Sequence, residues 1–228
     1  MTGLINAGVA GPNGHAPDFS RRLFVGSGVL TEAAFGRIET EIERYSRTER
    51  SYLPAHKKGG AIAYETLRAQ FPSVVDLYRS AEMITLISRI TGVSVLPTPT
   101  TDKSSCSILV YEEPGDHIGW HYDHNFYKGR HFTILVPIVN RGSSPEGLSA
   151  ARLMVKSGKR EDSVATPPNA LIVFEGAKVR HKVTPIEAGE RRIVLSMTYC
   201  TDPRNSVVQE SMRRVKDTAF FGLRALWG

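Results

Sequence analysis

From Pro97 to Cys200 the chain is cut into short apolar runs by turn residues, and this punctuation excludes most folds. The runs are 106–111, 118–122, 132–139, 152–155, 170–174, 179–183 and 192–200. Pro114-Gly115, Gly142, Pro167-Pro168, Gly176 and Gly189 separate them. Each has strand length, and strands at this spacing build a sandwich or jelly roll. The expected class is therefore mainly β, with the core over 97–200. Upstream, Thr31 can cap a helix through Ala33, Phe35, Ile38, Ile42 and Tyr45. Residues 46–62, polar and carrying Pro54, Gly59 and Gly60, read as loop. A second helix starts near Ser73, runs through Val74, Leu77, Ile84, Leu86 and Ile90, and ends at Gly92. The reading is one domain over 1–228. It has a loose arm at 1–20, helical support at 30–92 and a C-terminal helix at 207–227 striped by Val208, Met212, Val215, Phe220, Leu223 and Trp227.

Composition narrows the function classes. Hydrophobic residues at 41% and charged residues at 23% are globular values, which exclude a disordered or collagenous chain. The longest apolar run, Phe132 to Val139, falls far short of the ~20 residues of a membrane helix. The first twenty residues hold no apolar core, so no secretory signal is expected. Cys106 and Cys200 sit in apolar runs and read as buried free thiols of a cytoplasmic protein. The net charge of +6 is scattered along the chain with no basic block. That disfavours a nucleic-acid partner, which usually meets a stripe or patch.

Four of the seven histidines, His117, His121, His124 and His131, fall within fifteen residues. Three readings compete: a half-exposed polar strand, a helical zinc site from His117, His121 and His124, and a strand metal site. Pro114, Gly115 and Gly119 weaken the helical one. In an extended segment, residues i and i+2 share a face. His121 and Asp123 then aim together, with His117 up the same face. His181 is the remaining histidine of the β region, and two histidines with one carboxylate form the facial triad of non-haem iron(II) oxygenases. A keto acid with a distal carboxylate needs a cation, and Arg191 and Arg192 follow at ten and eleven residues. Adjacent strand residues face opposite ways, so one of the two enters the pocket.

These elements resemble the 2-oxoglutarate- and iron(II)-dependent dioxygenases, most nearly their prolyl-4-hydroxylase-like branch. The run from His181 through Val183, Pro185 and Gly189 to Arg191 is similar to that branch's H-x-V-x-P-(x)3-G-x-R element, which selects Arg191 over Arg192. Tyr111 to Asp116 resembles, with one residue more, the Y-x-x-G-D approach to the first ligand. Gly129 to Leu135 and Pro168 to Gly176 resemble the strands that follow the Asp and precede the second His. The resemblance spans about 97–200. It implies a double-stranded β-helix and metal ligands His121, Asp123 and His181, which also form the catalytic centre. It further implies 2-oxoglutarate held by Arg191 with Tyr111, O2 as co-reactant and ascorbate as a compatible reductant. The implied reaction releases succinate and CO2 while hydroxylating an unactivated C–H bond. Asp123 sets the chain apart from halogenating relatives, which carry a small residue there.

One departure stands out: Leu195 lies four residues after Arg191, where the branch often has Thr or Ser. The Ser- and Gly-rich stretch 140–150 reads as a solvated connection rather than a lid. Trp120 and Tyr122 read as core, opposite His121, and His124 and Asn125 as neighbours of the open metal positions. The expected substrate is a small molecule, an amino acid or secondary metabolite. The alternatives are a protein or peptide hydroxylase and a metal-binding jelly roll without turnover.

Overall fold

The computed structural model describes residues 3–6, 8–9, 17–45, 48–53, 57–157 and 160–204. The 207–227 helix lies outside them. Twelve strands and four helices are described: β1 (Leu23–Gly26), α1 (Glu32–Arg44), β2 (Glu49–Leu53), β3 (Lys57–Ile62), α2 (Tyr64–Gln70), α3 (Pro72–Arg79), α4 (Ala81–Thr91), β4 (Leu96–Pro97), β5 (Cys106–Tyr111), β6 (His117–His121), β7 (His131–Arg141), β8 (Leu153–Ser157), β9 (Arg160–Val164), β10 (Leu171–Phe174), β11 (Arg180–Val183) and β12 (Arg191–Cys200). The strands join antiparallel in the order β1-β10-β7-β12-β5-β3-β6-β11-β8-β9, with β2 beside β3 and β4 beside β12. The sheet wraps on itself as a jelly roll, as the strand punctuation predicts.

Two apolar layers fix which way each side chain looks. On β12, Ile193, Leu195, Met197 and Tyr199 pack against α1, α3 and α4 through Ile38, Leu77 and Ile87. Val194, of the opposite parity, faces the barrel interior with Tyr111, Leu135, Ile172 and Phe174. Burying each such aliphatic is worth about 1.5–3 kcal/mol, so a one-residue slip of β12 would expose its helix-facing set. Hydrogen bonds lock the helices down: Tyr199 Oη donates to the Tyr78 carbonyl at 2.6 Å, and Tyr78 Oη to that of Thr98 at 3.0 Å.

The helical region is divided more finely than the sequence pattern suggests. Thr31 caps α1, its hydroxyl accepting from Ala34 N. The second helix is two, because Ser80 is extended and caps α4 through Met83 N. Gly92 ends α4 in the left-handed region at φ 70°, where Gly lacks the steric penalty. Residues 46–62, expected as loop, carry the β2–β3 hairpin. Its glycines serve close approach: a Cβ on Gly60 would sit 3.1 Å from Thr48 and 3.3 Å from Val110. Part of the N-terminal arm is tied down as well, since Leu4 N and Ile5 N both donate to Glu82 Oε2.

The 140–150 stretch is a largely solvent-exposed connection, as expected, and is anchored at its two ends. Ser149 donates to buried Asn140 Oδ1, and Ala150 N to buried Glu190 Oε1 at 2.8 Å. Both cysteines are buried free thiols, and burial pushes Cys200 up to about 11. No helix among the described residues is long and apolar enough to cross a membrane.

Candidate functional site

The site forms where β6 and β11 pair at the barrel mouth. His121 and His181 are direct register partners, their rings 4.2 Å apart. Between that pair and Ile118↔Val183 the register slips, so β6 takes one more residue than β11. This β-bulge falls at Gly119-Trp120 and flips the parity of the strand. Ile118 and His121 therefore both face inward. His117, expected on the face of His121, instead sits half-buried opposite Lys58 on the other face, its Nδ1 2.7 Å from the Gly115 carbonyl. The bulge also corrects the core reading of Trp120 and Tyr122: Trp120 lies beneath surface cations, and Tyr122 is 50% exposed.

Asp123 follows the end of β6 and is pinned from two sides. Its N donates to the Gly176 carbonyl at 3.0 Å, and Thr133 Oγ1 donates to its Oδ2. Its Oδ1 lies 3.5 Å from His121 Nε2 and 3.7 Å from His181 Nε2. One ligand atom from each of the three residues lies within 4.8 Å of the others. Each imidazole turns Nδ1 to the carbonyl two residues back, Gly119 at 2.8 Å and Val179 at 3.0 Å. A proton on Nδ1 leaves the Nε2 lone pair facing its partners, the orientation that metal-binding histidines take. Two imidazoles and a carboxylate suit a divalent transition ion such as iron(II).

The electrostatics agree with that donor set. Burial works against the Asp123 charge, yet His181, His121 and Thr133 hold its carboxyl well below the carboxylate range. Burial moves His181 down from 6.5, favouring the neutral ligand form, with Asp123 only partly opposing it. On His121 burial also acts downward, but Asp123 and the Gly119 carbonyl outweigh it and the net is upward. His121 therefore holds its proton more tightly than His181 does, and that proton must leave before a cation can bind. Cobalt(II) affinity, measured calorimetrically, should fall by about tenfold per pH unit below the His121 pKa. A slope of two protons at pH 7 would contradict this assignment.

Gly176 makes the Asp123 position possible. A Cβ there would lie 2.6 Å from Asp123 Oδ2, 2.7 Å from its Cβ and 2.8 Å from Thr133 Oγ1. Gly176→Ala must displace the carboxylate and should weaken cobalt(II) binding by roughly 10–100-fold, the range seen when ligand-orienting contacts are lost. Calorimetry of the folded variant checks this, and unchanged affinity would show that Asp123 tolerates the shift.

Deeper in the barrel, the arginine pair is reversed from the sequence expectation. Arg191 points outward, its side chain 37% exposed and 3.7 Å from Glu112. Arg192 is the one that enters, 1% exposed, opposite Tyr111 in the β12–β5 register with its Cζ 5.2 Å from the Tyr111 ring centre. The reason is strand phase: with Ile193, Leu195, Met197 and Tyr199 on the helices, even-numbered residues face inward. The reversal also accounts for the Leu195 departure. Ser196, four residues after Arg192, restores the hydroxyl at that spacing and lines the cavity beside Asp123. Among the described residues, Arg192 Nε and Nη2 and Tyr111 Oη are buried without hydrogen-bond partners. Burial pushes the Tyr111 phenol up to about 12, partly offset by Arg192. A guanidinium fork and a phenol, both donors, form a cradle for a carboxylate.

Other residues fill supporting places. A cavity of about 100 Å³ beside Asp123 is lined by Asp102, Tyr122, His124, Thr133 and Ser196. His124 stacks on Phe126, the rings 5.7 Å apart. Asn125 is occupied with its own loop, bonding the Gly129 carbonyl and Tyr127 N. Sequence reasoning named Asp116 only as the end of a motif and missed what it does: fully buried, it accepts from Glu112 N, Glu113 N and Arg50 and shapes the turn into β6. It also missed Lys57, buried opposite Ile118, whose ammonium burial lowers to about 8.

No protein-family model matches the chain, and no curated protein matches it in sequence. Solved structures do match its fold. A prolyl hydroxylase from Trichoplax adhaerens, solved with a hypoxia-inducible factor peptide fragment, superposes with a TM-score of 0.63 at 13% identity over 85% of this chain and 87% of its own. The α-ketoglutarate-dependent epimerase SnoN of nogalamycin biosynthesis gives 0.61 at 14% identity over 78% of each. A Pseudomonas putida prolyl-4-hydroxylase gives 0.59 at 19% identity over 81% of this chain and 94% of its own. At these identities the likeness establishes the fold, the jelly roll on which these non-haem oxygenases are built.

Proposed function

We propose that this chain is an iron(II)- and 2-oxoglutarate-dependent oxygenase that hydroxylates a small molecule. The observation that carries the reading is the meeting of His121, Asp123 and His181 at one point of a barrel that also buries Arg192 and Tyr111 as unpartnered donors. A metal site alone would fit a binding protein. A buried guanidinium costs several kcal/mol without an anion, so the second feature calls for a carboxylate-bearing cosubstrate.

In this reading His121, Asp123 and His181 hold the iron, and Arg192 with Tyr111 takes the distal carboxylate of 2-oxoglutarate. Iron supplies the activation of O2 that couples release of succinate and CO2 to C–H oxidation. The chain's own residues fix the geometry. Thr133 and Gly176 place the Asp123 carboxylate, and the Gly119 and Val179 carbonyls set the imidazole tautomers. The barrel walls keep the cosubstrate away from water. The test is calorimetric binding of 2-oxoglutarate to protein loaded with cobalt(II), followed by succinate release with iron(II) during a mass-spectrometric substrate screen. Binding of both ligands and a product gain of one oxygen are expected. Metal binding without 2-oxoglutarate binding would instead leave a non-catalytic jelly roll.

A further inference from the structure

The cations that look scattered in sequence are gathered by the fold on one side of the metal strand. Trp120, turned outward by the bulge in β6, has Lys182 Nζ 4.7 Å, Arg180 Cζ 5.7 Å and Lys156 Nζ 5.9 Å from its ring centres. Attraction to the one indole holds together three heads that repel each other. Next to them a groove of about 290 Å³ is lined by Arg21, Arg22, Lys156, Lys178 and Asp162.

The acids nearby are too few to neutralise this face. Asp162 answers both Arg21 and Arg160, Glu175 answers both Arg22 and Arg130, and Glu161 answers Lys156. Lys178, Arg180 and Lys182 make no ion pair among the described residues. Eight cations thus meet three carboxylates here, in a chain whose whole net charge is +6. The groove also leads somewhere: exposed Tyr122 lines both it and the cavity beside Asp123.

We infer that the groove binds a phosphate group of the substrate, leaving the remainder of the molecule to pass Tyr122 towards the metal centre. The inference rests on the oxygenase reading for what happens beyond Tyr122, but not for the anion site itself. A phosphate ester carries nearly two charges and three acceptor oxygens, which matches a face holding more cations than carboxylates better than a single carboxylate does. A short open groove near the lower end of small-ligand volumes suits a phosphorylated metabolite rather than a polymer, which would track a longer stripe.

The test is calorimetric titration of inorganic pyrophosphate into the full, metal-free chain at low salt. Wild type should bind one equivalent saturably. Lys156→Glu with Lys178→Glu should weaken binding by at least about tenfold, whereas Arg44→Glu with Arg68→Glu, an equal charge change on α1 and α2, should weaken it by less than about threefold. Absence of saturable binding, or equal loss in both pairs, overturns the inference. So does tighter binding of a single-stranded DNA dodecamer that the groove variant abolishes, since the face would then serve nucleic acid. Cobalt(II) binding by the same samples separates failure of the groove from failure of the metal centre.

Discussion

Arg192→Met should raise the Michaelis constant for 2-oxoglutarate by roughly 30-fold or more, while Arg191→Met should leave it within about twofold. The guanidinium of Arg192 lies inside the barrel against Tyr111, and a desolvated charge-assisted pair with a carboxylate is worth about 2–5 kcal/mol. Arg191 meets Glu112 at the surface, where an ion pair contributes about 0–1 kcal/mol. The same Arg192 substitution should move stability the other way. Replacing a buried guanidinium that lacks partners by an apolar side chain of similar length is expected to stabilise the ligand-free protein by about 1–4 kcal/mol. Lost cosubstrate affinity together with a raised Tm marks a binding residue; a lowered Tm would mark Arg192 as part of the fold. If Arg191→Met carries the kinetic effect, the phase assigned to β12 is wrong.

Asp123→Gly should weaken cobalt(II) binding by at least about 100-fold, beyond the effect of disturbing a residue that merely orients a ligand. It removes the carboxylate that both Nε2 atoms face and leaves Thr133 Oγ1 without its acceptor. With Asp123 gone, only the Gly119 carbonyl still opposes burial at His121, so its pKa should fall, which imidazole NMR reads directly. Under the proposed function, wild type adds oxygen and not chlorine when chloride is present, and the variant loses most hydroxylation. Undiminished turnover in Asp123→Gly, or chlorination by wild type, would remove Asp123 from the centre.

The site's legibility in sequence followed its physics. Apolar runs and turn residues gave the seven strands after Pro97 because each strand buries at least one face in the two apolar layers and most are closed by Gly or Pro. The β2–β3 hairpin was hidden because its glycines, used for close approach to Thr48 and Val110, look like turn residues. Strand β9, Arg160–Val164, was hidden because an edge strand with mostly polar residues has no apolar signature. Motif spacing favoured Arg191, yet the strand's own period favoured Arg192. Four alternate hydrophobics, Ile193 to Tyr199, were readable in the sequence, and Ser196 at the right interval from Arg192 was the second clue. The cationic face was not readable at all, since Arg21, Lys156 and Lys178 are joined only by the tertiary fold.

The slip in β6 has a consequence for how this site can change over generations. Insertions and deletions are usually tolerated in loops and fatal in strands through lost packing. Here the count of residues between Ile118 and His121 is itself what aims His121 at His181. A deletion of one codon at Gly119 or Trp120 would remove no ligand, yet it would swing His121 to the outer surface and withdraw the indole that gathers Lys156, Arg180 and Lys182. The centre and the charged face would vanish in one step. Point substitutions can tune either one separately, but the length of this strand is inherited by both.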